Sequence, residues 1–307
     1  MFIRGHQVIR PDRLATLYFF HPLRRLLRRT PAGIPILMYH SISENPETHK
    51  NPYYHTCTSP RVFRQQMEFL SRNGYKTISL GEAVRKLEVG QPFQAADPLS
   101  SGSSGAPLVV LTFDDGFEDF YTEAFPALSA FGYAATVFLP TAYIGDTSRK
   151  FNGIACLTWS QVRELRKAGV EFGSHTLTHP QLRELSSAGV DRQLRSSKEE
   201  IEGRLGAPVA SFSYPYAFPE ADQAFRQRLR NMLVQAGYEN GVSTIIGTAD
   251  SSSDRLFLER IPVNSSDHET FFTAKLQGGY DWLRKLQYVS KLRLLGRDAR
   301  RAAPQTT

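Results

Sequence analysis

The sequence predicts an α/β protein built around a closed or nearly closed barrel of about seven parallel strands. Three observations predict it. Short, continuous apolar runs alternate with amphipathic stretches, the pattern of strands covered on both faces by crossing helices. About seven such units follow one another in one chain, which suits a barrel better than an open sheet. A length of 307 residues accommodates one such domain together with terminal segments.

The elements follow in order. Residues 34–39 (IPILMY) form a buried strand, 61–73 a helix, 76–80 a strand and 82–89 a helix. After a low-complexity surface loop at 90–107 (GQPFQAADPLSSGSSGAP), residues 108–113 (LVVLTF) form a second long apolar strand. A helix at 121–131 and a strand at 134–139 (AATVFL) come next, then a helix at 160–168 and a strand at 170–173. A helix at 190–205, a strand at 209–213, a helix at 222–236 and a strand at 242–246 complete the series. In such a barrel, function sits at the C-terminal ends of the strands.

The formal charge of +7 suggests an acidic partner until its distribution is read. Residues 1–31 carry seven arginines and one acid, and residues 284–307 carry seven basic residues and one acid. The intervening body has a net charge of −5, which speaks against a nucleic-acid-binding face, and no recognition module for nucleic acid is present. The organisation expected is a basic extension at 1–31, a catalytic domain at 32–283 and a basic amphipathic tail at 284–307. Cys57 and Cys156 are too few for a disulfide scaffold or a cysteine-rich zinc module. No apolar run approaches a membrane span, and 14–20 lacks the flanks of a secretory signal. The expectation is a cytoplasmic chain with reduced cysteines. Trp282, Leu283, Leu286, Val289, Leu292 and Leu295 recur at roughly helical spacing among basic residues. They describe either a helix packed on the body or peripheral contact of the basic ends with an anionic membrane at its inner face.

Three strand-end motifs carry the chemistry. Strand 108–113 runs into Asp114-Asp115-Gly116, whose adjacent carboxylates diverge, one toward a metal and one free as a base. Alone, this is also an ordinary turn sequence. His175 and His179 follow strand 170–173 and share a face if the segment makes one helical turn; otherwise they cap and pack. Tyr214, Pro215 and Tyr216 follow strand 209–213, where they either wall a sugar-sized groove or form a structural turn. Together the first two motifs supply Asp, His and His, the ligand set of an open catalytic metal site.

At this point the chain resembles the polysaccharide deacetylase family, the NodB-homology group also known as carbohydrate esterase family 4. The resemblance rests on 112–116 (TFDDG), 175–179 (HTLTH) and 214–216 (YPY), supported by 36–42 (ILMYHSI) and 135–139 (ATVFL). It covers about residues 32–264. It implies a distorted (β/α) barrel with fewer than eight strands. Asp115, His175 and His179 would bind a divalent metal, zinc first, with cobalt or nickel as alternatives. Asp114 would be the general base, and the Tyr216 backbone N–H would help to hold the oxyanion while an N-acetylated sugar loses acetate.

The chain departs from the family pattern in three places. Ser213 stands where the third motif begins with an arginine that braces the catalytic aspartate. The fourth motif's aspartate–tryptophan pair has no counterpart. Residues 258–263 (LERIPV) lack the histidine that serves as general acid. Arg260, from a different strand, is the candidate brace, with a structural ion pair as its other reading. His40, after a buried strand, is the better candidate proton donor than His268, whose segment reads as exposed. The departures keep two alternatives open: a catalytically weakened carbohydrate-binding scaffold, and a small-molecule amide or imide hydrolase on the same barrel.

Overall fold

A computed structural model describes residues 10–27, 33–44, 52–89 and 106–302. Most of the loop expected at 90–107 lies outside the described residues, as do the arginines at 4, 28 and 29. The chain opens with helix α1 (Pro11–Ala15), a π-helical turn at Thr16–Phe20 and α2 (His21–Leu26). Strands β1 (Ile36–Tyr39), β2 (Ser41–Ile42) and β3 (Cys57–Thr58) precede α3 (Pro60–Arg72), β4 (Lys76–Thr77) and α4 (Leu80–Glu88). Then come β5 (Leu108–Phe113), α5 (Phe125–Phe131), β6 (Thr136–Leu139) and a hairpin of β7 (Lys150–Phe151) and β8 (Ile154–Ala155). Helix α6 (Trp159–Lys167), β9 (Glu171–Ser174), α7 (Ser187–Leu205), β10 (Ser211–Ser213) and α8 (Gln223–Gln235) follow. The last elements are β11 (Asn240–Ile246), β12 (Leu258–Pro262), α9 (Glu269–Leu276) and α10 (Leu283–Ala302).

Seven strands close into a parallel barrel in the order β1-β5-β6-β9-β10-β11-β12, with β12 pairing back onto β1. The short β4 adds an eighth strand at the start of β5, beside Leu108 and Val109. The strand expected at 76–80 is shorter because Ser79 caps α4, its hydroxyl accepting the Glu82 N–H at 3.2 Å. Helix α6 begins with a capping box between Thr158 and Gln161. Helix α7 ends on Gly206 in the left-handed conformation. Because all seven barrel strands run in one direction, the residues that follow them gather at one mouth.

Close packing under that mouth requires one glycine. A Cβ on Gly173 would lie 2.5 Å from the Phe138 ring and 2.8 Å from the Ser211 carbonyl oxygen. No side chain fits where β9 passes between β6 and β10, and His175 begins two residues later.

The described part of the basic extension packs on the body. Arg10 reaches Asp12 at 3.2 Å and Asp267 at 3.9 Å, and the Tyr280 hydroxyl donates to Asp12 at 2.8 Å. Lys275, fully buried, donates to Asp267 at 2.8 Å. Phe20 stacks on Trp282 at 4.4 Å, and the Trp282 indole N–H donates to the Thr16 hydroxyl. At the other end, Leu283 is buried and Gln287 bonds to both Ile246 and Thr244. Leu286, Val289 and Leu292 stay exposed, so α10 has one packed and one open side.

Candidate active site and metal centre

Four of the seven barrel strands supply the carboxylates, histidines and arginine. Strand β5 delivers Asp114 and Asp115, β9 delivers His175 and His179, β1 delivers His40, and β12 carries Arg260. Asp115 has φ 70°, so its backbone turns left-handed directly after Asp114, and the two carboxylates point to different partners. Gly116 continues the turn at φ 57°, where a Cβ would strike Leu139 at 2.8 Å.

Asp115 faces the histidines. Its Oδ1 lies 3.5 Å from His175 Nε2 and 3.4 Å from His179 Nε2. The expected helical turn between the histidines is absent. Thr176 (φ 70°) and His179 (φ 52°) adopt left-handed backbone instead, and the Thr176 hydroxyl accepts the His179 N–H at 3.0 Å. A β-branched residue with positive φ is strained, so this tight turn is held by its surroundings. Two of them are the Gln193 side-chain oxygen, which accepts the N–H groups of Leu177 and Thr178, and Ser174, whose hydroxyl accepts that of Thr176.

The tautomer of His175 follows from its partner. The Ser213 carbonyl can only accept, so His175 Nδ1 donates to it at 2.8 Å and the Nε2 lone pair faces Asp115. Burial depresses both imidazoles, His175 to about 4 and His179 to about 3, leaving them neutral near pH 7. Burial, reinforced by the charge of Asp114, pushes Asp115 up to about 8. Asp115 Oδ1 is buried and has no hydrogen-bond partner among the described residues. One ligand atom from each residue thus converges on a common point, and once Asp115 gives up its proton, Asp115, His175 and His179 fit a divalent cation.

Asp114 faces the other way. Arg260 Nη1 donates to Asp114 Oδ1 at 2.8 Å and Nη2 donates to Oδ2 at 2.7 Å. The Ser213 hydroxyl also donates to Oδ1, at 3.1 Å, and accepts from Arg260 Nη2 at 3.1 Å. Thr112 Oγ1 and the Ser243 carbonyl take two more guanidinium N–H groups. Burial alone would raise the Asp114 carboxyl, but the guanidinium charge and the nearby histidines hold it far below the usual carboxylate range. Both side chains are buried. The structure therefore brings Arg260 from β12 to the carboxylate that Ser213, on β10, is too short to clamp.

His40 Nε2 lies 3.9 Å from Asp114 Oδ2 at the partly open edge of the site. The strand end that carries it is pinned by the Ser41 hydroxyl, which donates to Asp119 at 2.5 Å. His268 is exposed at the start of α9 and reaches none of these groups. Of the third motif, only Tyr216 opens to solvent. Tyr214 and Pro215 are buried, and Tyr214 packs edge-on against Phe218, so these two support the turn from beneath instead of walling a groove. Tyr216 (φ 58°) sits edge-on to His179 with ring centroids 4.5 Å apart.

The sequence reading missed the opposite wall. The β7–β8 hairpin places Phe151 4.9 Å from the His179 ring and 4.6 Å from Tyr143. Its signal was present: Asn152-Gly153, both with positive φ, is the preferred two-residue hairpin turn. Four of the five non-glycine residues with positive φ among the described residues are Asp115, Thr176, His179 and Tyr216, all in this site.

Residues 101–241, just under half of the chain, match the family model described as Polysaccharide deacetylase. YxkH of Bacillus subtilis, classed by name with the polysaccharide deacetylases, is 27% identical over 247 residues, 80% of this chain and 77% of that protein. The poly-beta-1,6-N-acetyl-D-glucosamine N-deacetylase of Staphylococcus epidermidis is 24% identical over 228 residues, 71% of each chain. Among solved structures, the Streptococcus pyogenes deacetylase PplD in complex with acetate superposes with a TM-score of 0.66 at 27% identity, covering 80% of this chain and 99% of that one.

Proposed function

The chain belongs to the polysaccharide deacetylase family, hydrolases of carbon–nitrogen bonds, and we propose that it removes N-acetyl groups from a glycan by metal-dependent hydrolysis. The observation that carries this reading is the division of labour between adjacent carboxylates. Asp115 is turned to two neutral histidines, and Asp114 is turned to Arg260. Asp115, His175 and His179 would hold the cation, for which zinc suits the His₂Asp donor set, with cobalt or nickel as substitutes. When bound, such a cation acidifies water and polarises the acetamide carbonyl.

The remaining steps belong to the chain. Asp114, kept ionised by Arg260, accepts the proton of the attacking water on an oxygen lone pair that the guanidinium leaves open. Arg260 fixes the plane of that carboxylate through two hydrogen bonds, so the base is oriented before substrate arrives. The Tyr216 N–H donates to the oxyanion as the carbonyl becomes tetrahedral. His40, beside Asp114, hands a proton to the departing sugar nitrogen, so that acetate and a free amine leave. Tyr216 and the Phe151–Tyr143 wall present ring edges and faces suited to the apolar side of a pyranose. The relatives with named substrates favour poly-N-acetylglucosamine as the glycan class. Arg260 and His40 stand beside Asp114 where the family pattern's arginine and histidine are missing, which supports an enzyme over a weakened scaffold.

Acetate release from N-acetylglucosamine oligomers, with and without chelator, tests the proposal. Release that a chelator stops and added zinc restores is the expected result. Release from none of a panel of acetylated glycans by metal-loaded protein would overturn it.

A further inference from the structure

The N-terminal helical segment is pinned to the barrel on one side and bare on the other. Arg10, Asp12 and Thr16 face inward and bond to Asp267, Tyr280 and Trp282. Leu14, Tyr18, Phe19, Leu23, Leu26 and Leu27 face solvent, with Tyr18 at 78% and Leu26 at 79% exposure. Exposed aromatic and aliphatic side chains in this number on one short helical segment mark a contact surface. Arg13 and Arg25 lie among them, and the only acid in 10–27, Asp12, is buried against Arg10. The face is apolar and purely cationic.

Those two properties together select the occupant. A second copy of the same face would set arginines against arginines. An anionic lipid surface takes the apolar side chains at the headgroup boundary and the guanidiniums among its phosphates. No helix among the described residues is long and apolar enough to cross a membrane. A segment with one side on the protein and the other apolar lies in the interface plane. We propose that residues 11–27 seat the protein peripherally on an anionic phospholipid surface.

The position of the seat adds a consequence for the site. Leu17 packs into the cluster of Ile246, Phe271, Tyr280 and Leu283, and Ile246 is the last residue of β11. Arg10 reaches Asp267, in the turn after β12. The seat therefore lies beside the ends of β11 and β12, at the same end of the barrel as Asp114 and Asp115, which follow β5, so a protein seated this way holds its mouth on the lipid-facing end. A glycan carried on or emerging at a membrane meets the site there.

Sedimentation with vesicles of phosphatidylcholine alone and of phosphatidylcholine mixed with phosphatidylglycerol tests this, using the full chain. The wild type binds the phosphatidylglycerol vesicles and leaves the neutral ones. Tyr18→Ser/Phe19→Ser/Leu26→Ser weakens that binding by at least about tenfold. Arg13→Glu/Arg25→Glu weakens it by about fivefold per reversal. Because Tyr18, Phe19, Arg25 and Leu26 are exposed, Arg13 is half-buried, and none of them belongs to the site, metal content and acetate release from a soluble oligomer stay at the wild-type level. That pair of assays separates failure of the seat from failure of the deacetylase reading. Wild-type protein that ignores phosphatidylglycerol vesicles would overturn the proposal. So would variants that bind as the wild type does, or a solution dimer that the triple substitution dissolves.

Discussion

Arg260 and Asp114, 146 positions apart in the chain, are joined by two guanidinium–carboxylate hydrogen bonds of 2.8 and 2.7 Å, with both side chains buried. Removing either partner strands the other as a buried charge, which costs about 3–5 kcal/mol. Arg260→Ala should therefore lower stability by that order and reduce kcat/KM by about 10²–10³. Arg260→Lys, which keeps the charge but loses the paired geometry, should recover stability better than turnover. Unfolding in urea alongside acetate release measures both. Unchanged turnover in the alanine variant would reduce Arg260 to a structural ion pair.

Asp115→Asn separates the metal site from the fold. In metal-free protein Asp115 is a buried ionisable group pressed against Asp114 and two imidazoles. The amide removes that conflict, so the metal-free variant should be at least as stable as the metal-free wild type. The wild type should bind stoichiometric zinc and be stabilised by it, whereas the variant should do neither. Metal content by elemental analysis and thermal unfolding with and without zinc decide it.

The pH dependence of metal uptake has a definite sign. Asp115 titrates at about 8 in the metal-free fold against 3.8 unfolded. Its contribution to metal-free stability is thus full below pH 3.8 and lost as pH rises through 8. His175 and His179, lowered from 6.5 to about 4 and 3, contribute above pH 6.5 and lose that contribution as pH falls through those values. Near pH 7 the histidines are ready and Asp115 must release a proton. Apparent metal affinity should therefore rise about tenfold per pH unit from 6.5 and flatten near 8. Titration calorimetry in buffers of different ionisation enthalpy should detect the released proton; an affinity that does not change across this range would contradict it.

Gly173→Ala tests the packing that aims His175. The added methyl would meet the Phe138 ring at 2.5 Å and the Ser211 oxygen at 2.8 Å, both fixed by neighbouring strands. Destabilisation of about 1–3 kcal/mol is expected from such overpacking. Zinc content should fall with it, because β9 cannot move without carrying His175. Equilibrium unfolding and elemental analysis of the same preparation check both effects.

What the sequence revealed depended on how local the determinant was. The run LVVLTF identified β5 because a strand buried on both faces must be apolar throughout. Asp114 and Asp115 were legible because they sit directly after such a strand, and His175 and His179 because of their spacing just beyond β9. The turn between the histidines was not, since Thr176 and His179 take positive φ only under constraint from Ser174 and Gln193. Arg260 could be nominated from its segment, but its clamp on Asp114 depends on β12 closing against β1. Tyr214 reads as a groove aromatic in isolation and is buried because Phe218 and Phe225 surround it. Residues 1–31 read as a basic extension because the partners of Arg10, Asp12 and Thr16, namely Asp267, Tyr280 and Trp282, lie more than 240 residues away.

The ring of seven strands closes through β1, which lies against β5 on one side and β12 on the other. A chain emerging from the ribosome makes β1 early but cannot complete its second edge until residue 262 has been synthesised. Asp114 and Asp115 thus exist for more than 140 residues of synthesis without the arginine that the folded site provides. Such long-range closure slows folding and leaves strand edges open meanwhile. A chain cut before Arg260 would therefore retain the three strand-end motifs yet leave Asp114 without its guanidinium clamp, and on the proposed mechanism it should release no acetate.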